Sequence, residues 1–172
     1  MDTPSVISKT ICVSHKLNDK WVLYHHSPSD KDWSLAGYTI LMDGIDSVEA
    51  VISVNKALTE KIVKYSMLFF MRSGISPIWE DVQNKKGGCF SYKVVNKNVV
   101  LVWRQMMYLV AGESLGLDTY NSSINGITIS PKKNFCILKI WMKDTFHKNP
   151  DYITTIANLT KHGVMFKLHG EK

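Results

Sequence analysis

The sequence predicts an α+β fold in which one curved, mostly antiparallel β-sheet carries three helices on its convex face. Seven short runs of aromatic and β-branched residues, bounded by turn-forming residues, are typical of strands. Three longer stretches, near residues 47–58, 99–111 and 151–161, have helical spacing. A length of 172 residues suits one domain with a substantial core. The concave face, which no helix covers, is the expected position of a ligand.

The seven strands are predicted from period-two alternation and from the turn signals between them. In chain order they run from Trp21 to His26, Gly37 to Met42, Tyr65 to Met71, Cys89 to Val95, Gly126 to Ile129, Phe135 to Lys143 and Val164 to Leu168. Asp43-Gly44 is interpreted as a turn that ends the second strand. In the sixth strand the even positions from 136 to 142 are apolar and can pack on helices. Its odd positions bring Lys139 and Trp141 to the opposite surface.

The three helices are predicted from apolar residues at helical spacing. The first has Asp46 as its expected N-cap and Glu49 three residues later, which together form a capping box. The second is apolar almost all round, which indicates a well-buried helix. The third is predicted from an apolar stripe. That stripe consists of Tyr152, Ile153, Ile156 and Leu159. A flexible tail is expected over residues 1–14 and a single folded domain over residues 15–172.

Composition limits the function classes. Hydrophobic residues make up 45% and charged residues 21%, as in ordinary globular proteins. The net charge of +6 favours an anionic partner such as RNA. Cys12, Cys89 and Cys136 form no CxxC pair and no metal spacing, which fits a reducing compartment. Neither a signal pattern nor an apolar run near the ~20 residues of a membrane span is present, so a cytoplasmic protein without a membrane partner is expected.

The stretch Ile78-Trp79-Glu80-Asp81, followed by a basic turn, is the most suggestive of function. An indole stacks on a flat, electron-poor heterocycle, and more strongly when that ring is cationic. A neighbouring carboxylate accepts two charge-assisted N–H bonds from one edge of the ring. A guanine alkylated at N7 offers both properties. Trp33, at the end of a polar loop, is a second candidate. The alternative is that Trp79 is a core residue with Glu80 as a solvated neighbour, and that Trp33 is partly buried against a neighbouring strand.

Together, these residues resemble the eukaryotic cap-binding translation initiation factor family. The matching residues, in order and spacing, are His15-x-Leu17, Trp21, Trp33, Trp79-Glu80-Asp81-x-x-Asn84-Lys85-x-Gly87-Gly88, Trp103, Gly112-Glu113 and Ile140-Trp141. The match spans residues 15 to about 160. The resemblance implies a cupped antiparallel sheet backed by three helices. It also implies binding of the 7-methylguanosine cap of messenger RNA, and translation initiation by recruitment of a scaffold protein.

The resemblance also implies roles for individual residues. Trp33 and Trp79 would sandwich the methylated base, Glu80 would accept its N1–H and N2–H₂ groups, and Trp141 would touch the N7-methyl group.

For the triphosphate, Lys132 occupies the position of a phosphate-binding arginine of the family. A phosphate-binding lysine of the family falls on Ile137, and Lys133 or Lys139 could substitute for it. Cys89 stands where the family has an arginine.

On the convex helical face, the resemblance implies a groove for a helix of the scaffold protein. The partner-binding residues expected there are His15, Leu17, Val48, Ile52 and Tyr108. The pattern departs from the family at Lys16, which replaces a proline, at Ile52, which replaces a tryptophan, and at Arg104, where leucine is usual. The alternative function is therefore a cap-binding repressor or decoy that does not engage the usual scaffold. General binding of single-stranded RNA is a further alternative.

An enzyme is not expected. Glu80 and Asp81 are adjacent, and in an extended chain they would point to opposite sides rather than converge on one atom. The pair His25-His26 fails as a metal site for the same reason, and no third ligand is evident. No phosphate loop of the GxxxxGK[ST] kind is present. The sequence thus predicts a monomeric binding protein without a cofactor or metal.

Overall fold

The computed structural model describes residues 13–171, so all but the last two residues of the predicted tail over residues 1–14 lie outside the described residues. In this part of the chain, seven strands and three α-helices follow one another as β1 (Lys16–His26), β2 (Tyr38–Ser47), α1 (Val48–Ala57), α2 (Glu60–Tyr65), β3 (Met67–Arg72), β4 (Gly88–Val95), α3 (Val99–Ala111), β5 (Ile124–Pro131), β6 (Phe135–Met142) and β7 (Met165–Leu168). All strands pair antiparallel in the order β2-β1-β3-β5-β6-β4-β7. The predicted fold class is confirmed.

The main core lies between the helices and one face of this sheet. The largest side chains in it, Trp21 from β1 and Trp103 from α3, are completely buried. The even positions of β6 join this core, as the sequence predicts, since all four are buried in it. A smaller cluster of Phe69, Met71 and Trp141 lies on the opposite face. β3 is therefore apolar on both sides because it has a buried layer on both sides.

The prediction of a helix over residues 151–161 is wrong. The chain makes one 3-10 turn, Pro150–Tyr152, and then runs to β7 without a helix. Ile153 pairs with Gly116 in an isolated bridge instead. Asn158 has a φ of 65°, in the left-handed region that a right-handed helix excludes. The apolar positions 153, 156 and 159 are nevertheless buried in the main core, so their spacing reflects core contacts made by an irregular segment.

Three smaller differences concern the first half of the chain. The Asp43-Gly44 signal marks an irregularity within β2, with Gly44 at a φ of 65°, and the strand continues to Ser47. Ser47, not Asp46, caps α1, since its hydroxyl accepts the N–H of Ala50. The short helix α2, capped by the Thr59 hydroxyl, has no counterpart in the sequence prediction.

No helix of residues 13–171 has the length and apolar character required to traverse a lipid bilayer.

Candidate functional site

A cavity of about 640 Å³ opens on the concave face of the sheet. Trp33 enters it from the loop between β1 and β2, and Trp79 enters it from the loop between β3 and β4. Their side chains are 53% and 48% exposed, whereas Trp21 and Trp103 are fully buried. Leaving two large indoles half in water forgoes the free energy of burying them. The alternative that Trp79 is a core residue is therefore wrong. Trp33 is partly buried, as its alternative stated, but both indoles face a common space.

The Trp33 loop is held from behind by His26, the last residue of β1. The imidazole is fully buried and stacks on the indole of Trp33, with ring centroids 4.4 Å apart and planes 6° from parallel. Its Nδ1 lies 2.8 Å from the carbonyl oxygen of Ser27, and its Nε2 lies 2.9 Å from that of Asp32. Each ring nitrogen therefore lies within hydrogen-bond distance of a carbonyl oxygen of the loop. His26 thus contacts the backbone at the start and in the middle of the loop, and it covers one face of Trp33.

The Trp79 loop is held by a network of polar groups, some half-buried and some fully buried. The carboxylate of Asp81 accepts the N–H groups of Ser76 and Gln83, each at 2.8 Å. Burial, the largest single influence, acts to raise the pKa of Asp81, but these hydrogen bonds outweigh it and lower that pKa. Asn84, fully buried, donates to the carbonyl oxygens of Ser76 and Ile78 at 3.0 and 2.8 Å. Asp81 and Asn84 therefore fix the loop rather than face the cavity.

The Asn84 side chain is anchored in turn to the sheet. Asn125 of β5 donates its amide to Asn84 Oδ1 at 2.9 Å and to the carbonyl oxygen of Gln83 at 2.8 Å. Because both asparagines are buried, loss of either would leave unpaired polar groups, at a cost of about 1–3 kcal/mol per group. The network fixes the position of the indole of Trp79 relative to the floor of the cavity.

Glu80 is the carboxylate that faces the cavity. Its side chain is exposed and lines the cavity that both indoles enter, and within residues 13–171 it accepts no hydrogen bond. Tyr38 lies nearby, and burial together with the charge of Glu80 raises the pKa of this phenol to about 12. Glu80 is thus free to accept N–H groups from a ligand, whereas its neighbour Asp81 is already occupied.

Trp141 forms part of the cavity floor and is only 8% exposed. Its indole N–H donates to the hydroxyl of Thr128 at 3.3 Å, and Phe69 packs edge-on against its ring. His169, just after β7, covers it at a centroid distance of 4.7 Å. Burial, together with the charge of Lys139, lowers the pKa of His169 to about 4, which leaves this ring neutral near pH 7.

Lysines line the far side of the cavity. Lys132 and Lys139 both lie there, whereas Lys133 is not among the lining residues. Ile137 and Cys89 line the cavity without adding charge. Lys167 of β7, which the sequence prediction missed, pairs with Cys89 across the strands and faces the same space. Its contribution depends on the register of β7, for which the sequence contains no local signal.

On the opposite side of the molecule, the five predicted partner-binding residues lie on β1, α1, α3 and the segment before β1. His15 Nδ1 lies 2.6 Å from Glu49 Oε1, and the carbonyl of His15 accepts the N–H of Val48. Leu17 packs against the main core, Ile52 is half-buried, and Val48 and Tyr108 are exposed. His15 and Val48 are therefore joined directly, and apolar surface remains open on both helices.

The class of protein follows from this arrangement. A cupped antiparallel sheet with two half-exposed indoles, a free carboxylate and several lysines around one cavity defines a binding protein for a flat, electron-poor heterocycle that is joined to an anionic group.

Comparison with known proteins gives the family. The family model described as "Eukaryotic initiation factor 4E" matches residues 16–171, and the chain belongs to this family. Eukaryotic translation initiation factor 4E of Eremothecium gossypii is 28% identical over 167 residues, which cover 93% of this chain and 73% of that protein. The homolog of Acanthamoeba polyphaga mimivirus is 37% identical over 87 residues, 50% of this chain and 29% of that protein.

Solved structures of similar fold include two complexes. C. elegans eIF4E-3, in complex with the 4E-binding protein Mextli and a cap analog, matches with a TM-score of 0.69 at 21% identity, covering 77% of this chain and 76% of that one. Schistosome eIF4E, complexed with m7GpppG and 4E-BP, matches with a TM-score of 0.69 at 23% identity, covering 78% and 75%. At these identities the likeness establishes the fold.

Proposed function

We propose that this protein binds the 7-methylguanosine cap of messenger RNA and acts in translation initiation. The observation that carries the proposal is that Trp33 and Trp79, both half-exposed, face one cavity that also holds the free carboxylate of Glu80. Membership of the initiation factor 4E family supports it, as do the cap ligands bound in the complexes of the structural relatives. The folded domain over residues 15–172 would carry this activity.

In the proposed complex the methylated guanine stacks between Trp33 and Trp79. Methylation at N7 makes the ring cationic, and a cation is attracted to both indole faces. Glu80 accepts N1–H and N2–H₂ from the base edge, and Trp141 meets the methyl group. Stacking contributes about 1–3 kcal/mol per aromatic face. Two faces and a charge-assisted pair of hydrogen bonds are consistent with affinity in the micromolar range or tighter.

In the proposed complex the triphosphate of the cap lies along the lysines of the cavity. Lys132 and Lys139 are its proposed contacts within the cavity, and Lys167 adds a third positive charge beside Cys89. Lys133 would contribute from the rim. A cap carries several negative charges close together. Loss of one lysine should therefore weaken binding more strongly for nucleotides that carry more phosphates.

The convex helical face is the proposed site for a scaffold protein that presents a helix. Exposed Val48 and Tyr108, with half-buried Ile52, supply its apolar contacts, and His15 and Leu17 border it. The complexes of the structural relatives with the 4E-binding proteins Mextli and 4E-BP support such a partner. The alternative of a repressor or decoy without a scaffold has only the residue changes at 16, 52 and 104 in its favour, and the comparisons do not favour it.

The rest of the proposal concerns what the protein does with its ligand. It binds the cap without converting it, as a monomer in the cytoplasm, with no cofactor. Membership of a family of initiation factors supports a binding rather than a catalytic role.

The direct experiment is retention on resin that carries 7-methyl-GTP. The wild-type protein should be retained and then eluted by free 7-methyl-GTP but not by GTP. Trp33→Ala and Trp79→Ala should pass through the column while keeping the wild-type circular dichroism spectrum. Tyr108→Ala is the matched control, since it removes an exposed aromatic on the opposite face and should be retained. Retention of both tryptophan variants would end the sandwich model.

A further inference from the structure

A positively charged strip continues beyond the cavity across three neighbouring strands. Cys89 and Lys93 lie on one face of β4, since they are four residues apart in a strand. The register pairs Cys89 with Trp141 of β6 and with Lys167 of β7, and pairs Ser91 with Lys139. Cross-strand partners share a face of the sheet. Lys93, Lys139 and Lys167, here called the lysine strip, therefore lie on the same concave face as Trp141.

The lysine strip is unpaired. Among residues 13–171, none of its three lysines has a carboxylate within the 4.0 Å of an ion pair. The four strands around it, β4 to β7, contain no aspartate or glutamate at all. Glu80 and Glu171 are the carboxylates that line the cavity, and both belong to loops outside these strands. Like charges placed together without counter-charges repel one another, and an anionic ligand relieves that repulsion.

The strip is longer than the cavity. Lys139 and Lys167 line the cavity, but Lys93 does not. At about 3.3 Å per residue, Lys93 lies about 13 Å along β4 from Cys89, the residue paired with Trp141. It sits diagonally across from Lys139, a spacing of about 7–8 Å in a sheet. A ligand that reaches Lys93 from the cavity must therefore extend beyond the end of the cavity.

An aromatic ring accompanies this outer lysine. The Nζ of Lys93 lies 4.5 Å from the ring centroid of Phe135, the first residue of β6. Phe135 is only half-buried, so its ring is open to a ligand on the concave side. A lysine next to a partly exposed aromatic side chain is the combination by which proteins hold single-stranded nucleic acid. The cation contacts the phosphate, and a base stacks on the ring.

We propose that Lys93 and Phe135 hold the first transcribed nucleotides of capped RNA, the chain that continues from the triphosphate. This inference rests on the proposed cap-binding function and extends it from the cap to the RNA body. The occupant is chosen by charge complementarity and by continuity with the cavity. Lys139 and Lys167, which line the cavity, supply positive charge between the triphosphate and the contact formed by Lys93 and Phe135. Recognition is by backbone charge and stacking, so little dependence on base identity is expected.

The test compares two ligands, 7-methyl-GTP and a capped RNA of about ten nucleotides, a length near the site sizes of single-strand binders. Wild-type protein should bind the capped RNA more tightly than 7-methyl-GTP, with a steeper dependence on salt. Lys93→Gln should weaken binding of capped RNA about five- to tenfold and reduce the slope of log K against log salt concentration by about 0.7. Its affinity for 7-methyl-GTP should not change. Phe135→Leu should show the same selectivity without the change in slope.

Lys61→Gln is the matched control, because Lys61 is an exposed lysine of α2, on the helical side. It removes the same net charge and should affect neither ligand. Equal losses of capped RNA in Lys93→Gln and Lys61→Gln would overturn the proposed RNA contact, since only bulk charge would then be involved. A loss of affinity in Lys93→Gln that is the same for capped RNA and for 7-methyl-GTP would also overturn the proposed RNA contact. Failure of the wild-type protein to prefer 7-methyl-GTP over GTP would overturn the cap-binding proposal instead, and is measured separately.

Discussion

Replacing each of the two adjacent carboxylates by its amide separates ligand binding from loop stability. The structure gives them different partners, although they are neighbours in the sequence. Glu80 is exposed in the cavity and accepts no hydrogen bond within the described residues. Asp81 accepts two backbone N–H groups at 2.8 Å and has a lowered pKa. We therefore predict that Glu80→Gln weakens binding of 7-methyl-GTP by more than Asp81→Asn does, and that Asp81→Asn lowers stability more.

The expected size follows from what the amide of Glu80→Gln loses. A glutamine offers one oxygen and turns an NH₂ group toward the N–H donors of the base, so the pair of charge-assisted bonds is reduced to one neutral bond. A hydrogen bond to a charged group contributes about 1.5–3 kcal/mol, against about 1 kcal/mol for a neutral one. The attraction between a carboxylate and the cationic ring is lost as well. A total of about 2–3 kcal/mol corresponds to about 30- to 150-fold in Kd.

Two measurements on the same three proteins decide this prediction. Titration with 7-methyl-GTP, followed by tryptophan fluorescence, gives the Kd. Thermal unfolding without ligand gives the stability. Glu80→Gln should keep the wild-type melting temperature, and Asp81→Asn should lower it. Equal losses of affinity in the two variants would show that the assignment of Glu80 to the base and Asp81 to the loop is wrong.

Three further predictions follow from the groups around the cavity. His26→Phe keeps a ring behind Trp33 but removes the ring nitrogens that lie against the loop carbonyls, and should weaken binding of 7-methyl-GTP about five- to tenfold. In a Trp33→Ala background it should cause no further loss, and an undiminished loss there would show that His26 does not act through Trp33. Asn84→Ala should lower the free energy of unfolding by about 1–3 kcal/mol and speed hydrogen exchange in the Trp79 loop, whereas unchanged exchange would contradict its anchoring role. The lowered pKa of His169, about 4 against an ordinary value of 6.5, means that the unfolded chain binds its proton first. Stability should thus be full above pH 6.5 and decrease as the pH falls toward 4, and His169→Gln should flatten that decrease; a variant with the same pH profile would contradict this assignment.

Much of the sheet could be predicted because the alternation of side chains along a strand is a local pattern in the sequence. Alternation in β6 correctly separated the core positions from Lys139 and Trp141, since a strand has a strict period of two. The predicted third helix was wrong for a related reason. Residues 153, 156 and 159 are spaced as on a helix and are buried, but the left-handed backbone at Asn158 and the bridge from Ile153 to Gly116 come from tertiary contacts. Spacing alone does not distinguish these cases.

The candidate site, too, could be predicted only in part from the sequence. Motif and loop composition were enough to single out Trp33, Trp79 and Glu80. What holds them in place could not be predicted, because the contacts are distant in sequence. Asn84 depends on Asn125, 41 residues away. The burial of a histidine behind Trp33 also has no local signal, since His26 sits beside an equivalent His25 and only the pleat of β1 decides which one is covered.

Titration with 7-methyl-GTP and with GTP, followed by tryptophan fluorescence, tests the central claim most directly. The two ligands differ by a single methyl group, which makes the base cationic. Stacking a cation between two indoles should quench the emission of Trp33 and Trp79 and favour 7-methyl-GTP over GTP by about 5- to 150-fold, from ~0.5–1.5 kcal/mol of cation–π attraction per face. Equal affinities for the two nucleotides, or binding without quenching, would contradict the account.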